Sequence, residues 1–461
     1  MDGSRTQVGQ PSWRRELIEI LVLAAPLATA QLAQMAMGIT DTIMMGRVGS
    51  DALAAGGLGA NVAFLLIIVG QGLVASIQPI VAQARGAADH SSFGRTLAAG
   101  LLISLLAAVP IVLALNHIDL LLDAIGEPPK IAALTLDYEQ AFAWGVPAGM
   151  LQFALRNYIA AMERPRILMV VVMGAAIANF GFNWVLVFGH LGFPALGLAG
   201  SGYATSLSWW SMLLAFVIHL RLTHLLPRDL FRVSAADLRR GMGTVLHLGW
   251  PIAGIYLVEV GLFSVSSLLM GWFGPIALAA HQICLNIASF TFMVPLAIGQ
   301  AATVRVGYYI GGGALRRARI AGFTAIGLGV GFMTVTAATI TTLSRPIFYL
   351  YLDADDPKLD AVLEMGGQMI VLAALFQMFD GAQVVAAGAL RGLKDTHAAL
   401  IAGAIGYWGL GMPIGAGLAF GAKLGPVGLW WGFVVGLIAA AILLSLRFGQ
   451  RTKRMIQLAA R

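Results

Sequence analysis

The sequence has few charged residues, and this scarcity excludes an ordinary soluble protein. Only 11% of its 461 residues are Asp, Glu, Lys or Arg, whereas 59% are hydrophobic. Soluble domains carry about 25% charged residues, which keep their surfaces in water. The chain is therefore predicted to lie mostly within a lipid bilayer.

Cysteine and nucleotide-binding loops are also scarce. The chain has one cysteine, Cys284, which excludes an intrachain disulfide and a cysteine-based metal site. It contains no glycine-rich loop ending in Gly-Lys-Ser or Gly-Lys-Thr, the loop that cradles nucleotide phosphates. We expect no cofactor and no enzymatic activity, and any pumping would draw on an ion gradient or on a separate ATPase subunit.

Long apolar runs are present throughout the chain. A membrane-spanning helix needs about 20 apolar residues. About twelve such runs occur, and they are centred near positions 29, 66, 104, 148, 177, 209, 257, 290, 331, 375, 408 and 436. The first continues from Leu17 towards Met45 without a clear cleavage site, so it is read as a retained helix. The predicted fold class is an all-α polytopic membrane protein.

Basic residues occupy alternate connections between these runs, which argues for a topology signal and against a nucleic acid partner. The basic connections contain Arg14 and Arg15; Arg85 and Arg95; Arg164 and Arg166; Arg228, Arg232, Arg239 and Arg240; Arg316, Arg317 and Arg319; Arg391 and Lys394; and Arg451, Lys453 and Arg454. The other connections contain Asp119, Asp123 and Glu127, and then Asp353, Asp355, Asp356 and Asp360. The positive-inside rule places both termini in the cytoplasm.

An internal repeat divides the chain. A shift of 225 positions pairs Pro26 with Pro251 and Gly46 with Gly271, and it also pairs Gly49 with Gly274, Asn61 with Asn286 and Gly86 with Gly311. We predict two parallel six-helix bundles, which we call the N-lobe (residues 1–221) and the C-lobe (residues 243–461). A basic cytoplasmic linker, residues 222–242, would join them. In transporters built from such repeats the substrate site lies between the halves.

Two carboxylates lie inside apolar runs of the C-lobe. Glu259 is near the middle of 250–272, and Asp380 is near the middle of 365–390. An acid at the centre of a spanning helix costs about 2.5–3.5 kcal/mol, so such groups are normally retained for a task. Two like charges in a dry site favour sharing a proton or a cation such as Na⁺. Competition between that ion and a cationic ligand would make an antiporter. The alternative is that each acid is structural and bonded to a neighbouring Ser or Gln.

The N-lobe has one candidate, Asp41, towards the outer end of the first helix. Asn179 and Asn183 share a face of the fifth helix, and Thr205 on the sixth completes a possible polar group around it. Asparagines at this spacing also join helices to each other, and Asp41 near an interface is also compatible with a capping role. The alternatives stay open on spacing alone.

Further polar residues lie on the eighth helix. Gln282 and Asn286 share one face, and His281 beside them is interpreted as a hydrogen-bonded helix residue, since no partner cluster for a metal lies nearby. Prolines inside the predicted spans indicate kinks or hinges; they are Pro26, Pro147, Pro251 and Pro295.

Three long stretches resemble the multidrug and toxic compound extrusion (MATE) family, specifically its NorM-like branch. They are GITDTIMMGRVG at 38–49, AAHQICLNIASFTFMVPLAIGQAATVRVG at 279–307 and FQMFDGAQVVAAGALRGLKD at 376–395. The resemblance implies twelve helices in two bundles, a V-shaped cleft, and export of cationic amphiphiles driven by Na⁺ or H⁺ entry.

By the same resemblance, Glu259 and Asp380 correspond to the family's C-lobe carboxylates, and Asp41 to its N-lobe carboxylate. Asn179, Asn183 and Thr205 are the polar neighbours that it implies for Asp41. NorM-like members commonly have a Tyr four residues before the second C-lobe acid, where this chain has Phe376. The missing hydroxyl puts the ion in question and favours protons slightly. Asn183 stands where some relatives have Asp.

The sequence thus predicts a multidrug exporter of the bacterial inner membrane, coupled to H⁺ or Na⁺ and expected to be monomeric. The main alternative is a flippase for lipids or lipid-linked saccharides, which would line its cleft with cations. Here the acids lie in the spans and the arginines mostly in connections, which disfavours that alternative. The natural substrate is not specified by any motif.

Overall fold

The computed structural model describes residues 12–230, 232–352 and 357–461, and every regular element in these ranges is helical. Arg5, Phe231, Asp353, Asp355 and Asp356 lie outside the described residues. The helices of the N-lobe are α1 (Trp13–Val48), α2 (Ser50–Ala75), α3 (Ile77–Gly86), α4 (Ser91–Asn116), α5 (Ile118–Ile125), α6 (Pro129–Ala143), α7 (Val146–Ala161), α8 (Pro165–Phe188) and α9 (Leu198–Leu222).

The second half of the chain repeats this order. Its helices are α10 (Ala235–Gly271), α11 (Pro275–Gly311), α12 (Leu315–Thr342), α13 (Ser344–Phe348), α14 (Leu359–Gly392), α15 (Thr396–Ala404), α16 (Met412–Ala416) and α17 (Pro426–Ala459). Two π-helical segments, Ile405–Gly411 and Gly417–Gly421, extend α15 and α16. The stretch α2–α3 and helix α11 begin and end at positions that differ by the same 225 residues as the sequence repeat.

Eleven segments of the described chain are long and apolar enough to cross a membrane. They match all the predicted spans except the one near position 148, which consists of the two shorter helices α6 and α7. Pro147 at the start of α7 has no backbone N–H to continue a helix from α6, so the chain turns at Trp144 and Gly145. Pro26, Pro251 and Pro295 lie within continuous helices instead.

The first helix of each half packs against the opposite half over its N-terminal part. Helix α1 contacts α11 and α12, helix α10 contacts α2 and α4, and α3 contacts α11. The C-terminal parts return to their own lobes, where α1 packs on α8 and α10 packs on the π-helical segment after α15. The lobes therefore meet mainly at the end of the molecule that carries the basic connections.

A pair of glycines allows the backbones of the two lobes to approach each other closely. A Cβ added to Gly86 would lie 1.9 Å from the carbonyl oxygen of Tyr308, and one added to Gly311 would lie 1.9 Å from that of Gln83. Because Gly86 pairs with Gly311 and Gln83 with Tyr308 under the 225-residue shift, these are two copies of one contact. The lobes are thus related locally by an approximate twofold axis.

Ion pairs surround this contact. Arg305 on α11 binds Glu16 on α1 at 3.0 Å and Glu163, between α7 and α8, at 3.5 Å. Arg85 on α3 binds Glu163 at 2.6 Å, and the hydroxyl of Tyr309 donates to Glu16. Helices of both lobes are therefore joined by one charged cluster at the basic end.

The predicted linker is only partly a separate connector. Residues 223–230 and 232–234 are outside the helices, whereas 235–242 form the first turns of α10. The connector is fastened to the N-lobe, because the Tyr158 hydroxyl donates to the Leu225 carbonyl at 2.9 Å and Asp229 packs against Gly94. The exact lobe boundaries remain a prediction.

Candidate functional site

Asp41 lies within a hydrogen-bonded group that three N-lobe helices supply. Its side chain is 8% exposed. The amide of Asn183 on α8 donates to Oδ1 at 2.7 Å, and the hydroxyl of Thr205 on α9 donates to Oδ2 at 2.7 Å. Each carboxylate oxygen of Asp41 thus has one donor, and the structure brings together three residues that the sequence analysis singled out.

Asn179 lies one turn before Asn183 on α8 and is fully buried beside Asp41. Its backbone carbonyl accepts a hydrogen bond from the Asn183 amide at 3.0 Å. Within the described residues, the side-chain oxygen and nitrogen of Asn179 and the oxygen of Asn183 have no hydrogen-bond partner. Buried polar atoms without partners cost free energy, so this group has unused donors and acceptors that a polar ligand would satisfy.

A fourth acid, Glu139 on α6, was missed by the sequence analysis. Its side chain is 0% exposed, and neither carboxylate oxygen has a hydrogen-bond partner among the described residues. Gly59 on α2 makes room for it, since a Cβ there would lie 2.5 Å from Oε1 of Glu139. Helix α6 packs on α9, the helix whose Thr205 binds Asp41, since a Cβ added to Gly202 on α9 would lie 2.7 Å from the carbonyl oxygen of Tyr138. The N-lobe therefore holds two acids in one region.

The C-lobe acids are arranged differently. Asp380 on α14 is 6% exposed, and Glu259 on α10 is partly buried. Their charges interact with each other, and that of Arg391, near the end of α14, also acts on Glu259. No described residue donates a hydrogen bond to Glu259 or Asp380 or forms an ion pair with either. The two C-lobe carboxylates thus lack protein donors in the part of the chain that the structure describes.

Phe376, one turn before Asp380, belongs to an aromatic cluster. Its ring centroid lies 6.2 Å from that of Phe263, 6.0 Å from Trp430 and 6.3 Å from Phe433. These contacts explain why a phenyl ring is stable at this position, since aromatic pairs at such separations are favourable. The ring offers no oxygen to the nearby acids.

The other predicted polar residues of α11 are less connected to the acids. Gln282 and Asn286 are exposed, and the Asn286 amide donates to the Gln282 carbonyl on the same helix at 2.9 Å. His281 is buried, with Nε2 3.2 Å from the Ser267 hydroxyl, as expected for a hydrogen-bonded helix residue. The described part of the chain has no cluster of three or more His, Cys, Asp or Glu residues able to hold a metal.

Several arginines depart from the expectation that they lie in connections. Arg156, Arg305 and Arg391 are buried on α7, α11 and α14. Arg305 lies at the basic end, where its ion pairs with Glu16 and Glu163 hold it in position. Arg156 donates to Gln34 at 2.5 Å and to Gln31 at 3.3 Å on α1. The sequence pattern did not reveal these partners, because they are distant along the chain.

Comparison with known proteins agrees with this architecture. The MatE family model matches residues 26–185 and 251–416. The multidrug resistance protein NorM of Burkholderia vietnamiensis is 43% identical over 98% of this chain and 98% of its own length. The probable multidrug resistance protein NorM of Mesorhizobium japonicum is 42% identical over 96% of this chain and 95% of its own.

Solved structures show the same fold at low sequence identity. The Vibrio cholerae MATE transporter VcmN in its bent form has a TM-score of 0.86 at 17% identity, over 97% of this chain and 99% of that one. The eukaryotic MATE transporter AtDTX14 has a TM-score of 0.85 at 21% identity, over 96% and 98%. The chain therefore belongs to the MatE family of multidrug and toxic compound extrusion proteins, among the relatives named NorM.

Proposed function

We propose that this protein is a secondary active multidrug transporter of the bacterial inner membrane, which exports cationic amphiphilic compounds in exchange for H⁺ or Na⁺. The observation that carries the proposal is the pair Glu259 and Asp380, two interacting carboxylates inside membrane-spanning helices without protein donors. The names of the NorM relatives support drug export as the task.

Exchange follows from competition for the same negative charge. Two adjacent carboxylates in a dry site repel each other, so binding one cation relieves the repulsion. A proton or Na⁺ and a cationic drug each provide that relief, and occupancy by one disfavours the other. Entry of the ion down its gradient would then release the drug on the outer side.

Alternating access would require the charged cluster at the basic end to open. Arg305, Glu16 and Glu163 join the lobes there, while the positive-inside rule assigns that end to the cytoplasm. We assign the described conformation to the outward-facing state on this basis. In the inward-facing state Arg305 would then be separated from Glu16, and each of the two glycines from the carbonyl group that it faces in the opposite lobe.

The flippase alternative would need cations free to bind phosphate in the cleft. Of the three buried arginines, Arg305 binds Glu16 and Glu163, and Arg156 donates to Gln31 and Gln34. The third, Arg391, donates to the Ala387 carbonyl of its own helix. This use of the arginines supports the drug-exporter proposal over the alternative.

Reconstituted protein provides the direct test. Proteoliposomes loaded with a fluorescent cationic dye should export it when a pH gradient or a Na⁺ gradient is imposed, and the double variant Glu259→Gln, Asp380→Asn should not. A dye flux in wild-type protein that responds to neither gradient would refute the proposal. Comparing the two gradients in separate vesicles identifies the ion.

Topology is tested independently. Reporter fusions near residue 125 should lie in the periplasm and fusions near Arg232 in the cytoplasm. A periplasmic signal at Arg232 would contradict the assigned orientation.

A further inference from the structure

The hydroxyl of Tyr407 is a buried polar group that the proposed function does not yet use. The residue is 1% exposed, and its hydroxyl has no hydrogen-bond partner among the described residues. A buried hydroxyl without a partner costs free energy, so such a group in a native protein calls for an explanation. Other tyrosines show the usual solution, as Tyr158 donates to the Leu225 carbonyl.

Local backbone geometry fixes where this tyrosine lies. Tyr407 is in the π-helical segment Ile405–Gly411, and short π-helical insertions occur frequently at functional sites. Gly406 beside it packs directly on helix α17, since a Cβ there would lie 2.7 Å from the carbonyl oxygen of Gly436. The segment is therefore held at a defined position along α17.

A hydrogen bond places the same segment level with Glu259. The indole N–H of Trp408 donates to the Val258 carbonyl on α10 at 3.0 Å. Trp408 follows Tyr407 in sequence, and Val258 precedes Glu259. The hydroxyl-bearing residue and the acid thus occupy the same depth on two packed segments.

Packing on α17 places the segment level with Asp380 as well. Phe376 on α14 packs on Phe433 of α17, with ring centroids 6.3 Å apart. Both helices run towards the basic end, so one turn further Asp380 comes level with Leu437, the neighbour of Gly436. Tyr407 thus lies at the depth of both C-lobe acids, as the packing of its segment on α10 and α17 indicates.

We propose that Tyr407 is an ion-binding residue of the C-lobe site, and that its hydroxyl supplies the neutral oxygen ligand for Na⁺ that Phe376 lacks. Hard cations are bound by several oxygen ligands, and a hydroxyl adds one without adding charge. The inference rests on the proposed exchange function and names the ion that the C-lobe pair holds. It also replaces the argument from the missing hydroxyl of Phe376, because the oxygen comes from a neighbouring helix.

The test separates ion affinity from transport capacity. In proteoliposomes at fixed pH, Tyr407→Phe should raise the Na⁺ concentration for half-maximal dye export about 10-fold while leaving the maximal rate near that of wild type. Tyr203→Phe, which removes a hydroxyl from the exposed face of α9, is the matched control and should change neither quantity. Moving the hydroxyl in the double variant Tyr407→Phe, Phe376→Tyr should restore part of the Na⁺ affinity.

Each outcome decides the inference. An unchanged half-maximal Na⁺ concentration in Tyr407→Phe would overturn it, as would wild-type export that responds to pH steps but never to Na⁺. Both results would leave the proposed exchange function standing, which fails only if no ion gradient drives wild-type export. If Tyr407→Phe does not fold, Tyr407→Met, which also removes the oxygen and keeps an apolar side chain, is measured in its place with the same expected result.

Discussion

The two lobes follow the same 225-residue repeat but do not place their acids at matching positions. The 225-residue shift matches Asp41 with Ser266 and Glu259 with Gln34. Asp41 therefore lies seven residues further along its helix than the counterpart of Glu259, a distance of about 10 Å along the helix axis. Because α1 and α10 both start at the basic end, the N-lobe acid is closer to the opposite end.

The surroundings of the acids differ as well. Asp41 accepts one hydrogen bond at each oxygen, from Asn183 and from Thr205. Among the described residues, no donor reaches Glu259 or Asp380. A carboxylate that already has donors gains less from binding a cation than one that has none. The C-lobe pair should therefore contribute more binding energy per cation, and the N-lobe acid should respond more to its own hydrogen-bond partners.

The largest effect is expected at the C-lobe pair. Glu259→Gln and Asp380→Asn should each lower ion-driven dye export by roughly 10- to 100-fold, because an interaction with a charged group is worth about 1.5–3 kcal/mol. Export is measured in proteoliposomes at equal protein content, with Glu127→Gln outside the spans as control. If both single variants export at wild-type rates, the C-lobe pair does not carry the ion.

Asp41→Asn should have a smaller effect, a decrease of about 10-fold, or roughly 1.4 kcal/mol. The amide keeps an oxygen for Thr205 or Asn183 to bind but removes the charge. Export and drug binding should be measured on the same preparation. If Asp41→Asn lowers export more than Glu259→Gln does, the N-lobe acid contributes more to transport than the C-lobe pair, contrary to our expectation.

The buried acid Glu139 extends the comparison of the two lobes to the free energy of unfolding. Glu139→Met replaces an unpartnered buried acid by an apolar chain of similar size, so the free energy of unfolding should rise by roughly 1–3 kcal/mol, the typical cost of an unsatisfied buried group. Thermal unfolding in detergent measures this change. Gln152→Met is the comparison, because it replaces a buried neutral side chain whose oxygen also lacks a partner among the described residues. A less stable Glu139→Met would show that the acid has a stabilising partner, and unchanged export would remove it from the transport mechanism.

The smallest effect is expected for Thr205→Val, which removes one of the two donors to Asp41 and conserves the volume of the side chain. One hydrogen bond contributes about 1 kcal/mol, so export at limiting ion concentration should change about 5-fold. The matched control is Ser208→Ala, whose hydroxyl donates only within α9. Equal results for the two variants would show that Thr205 does not act through Asp41.

The sequence predicted the helices well, because apolar runs of the length of a bilayer leave few alternatives. It indicated a kink or hinge at Pro147 but predicted one span there, because an apolar run continues through it. That α6 and α7 are two separate helices follows only from the backbone geometry. Two signals in the sequence suggested the grouping of Asp41 with Asn183 and Thr205: the spacing of the asparagines on one helix face, and the resemblance to the family. Which of those side chains bond to each other depends on how α1, α8 and α9 pack.

The residues that the sequence analysis missed share one property, which is that their neighbours are remote in sequence. Glu139 lies in a stretch with Lys130 and Asp137 that resembles an aqueous connection, and its burial arises from packing on Gly59 of α2. Tyr407 is neutral and stands in a glycine-rich apolar run. Nothing local marks its hydroxyl as unpartnered, because that depends on α10, α14 and α17 together.

The two equivalent glycine contacts bear on how such a chain could have arisen. Gly86 with Tyr308 and Gly311 with Gln83 form the kind of contact that a symmetric homodimer makes, in which the same patch is used twice. Two copies of a single half-chain, docked about that axis, would make both contacts with one sequence. Duplication and fusion of such a half-chain gene would preserve the axis while freeing the two copies to change separately. Each glycine faces a backbone that any side chain would push away, so both copies would need glycine after such a fusion. The acids make no contact of this kind and would be free to differ between the two halves.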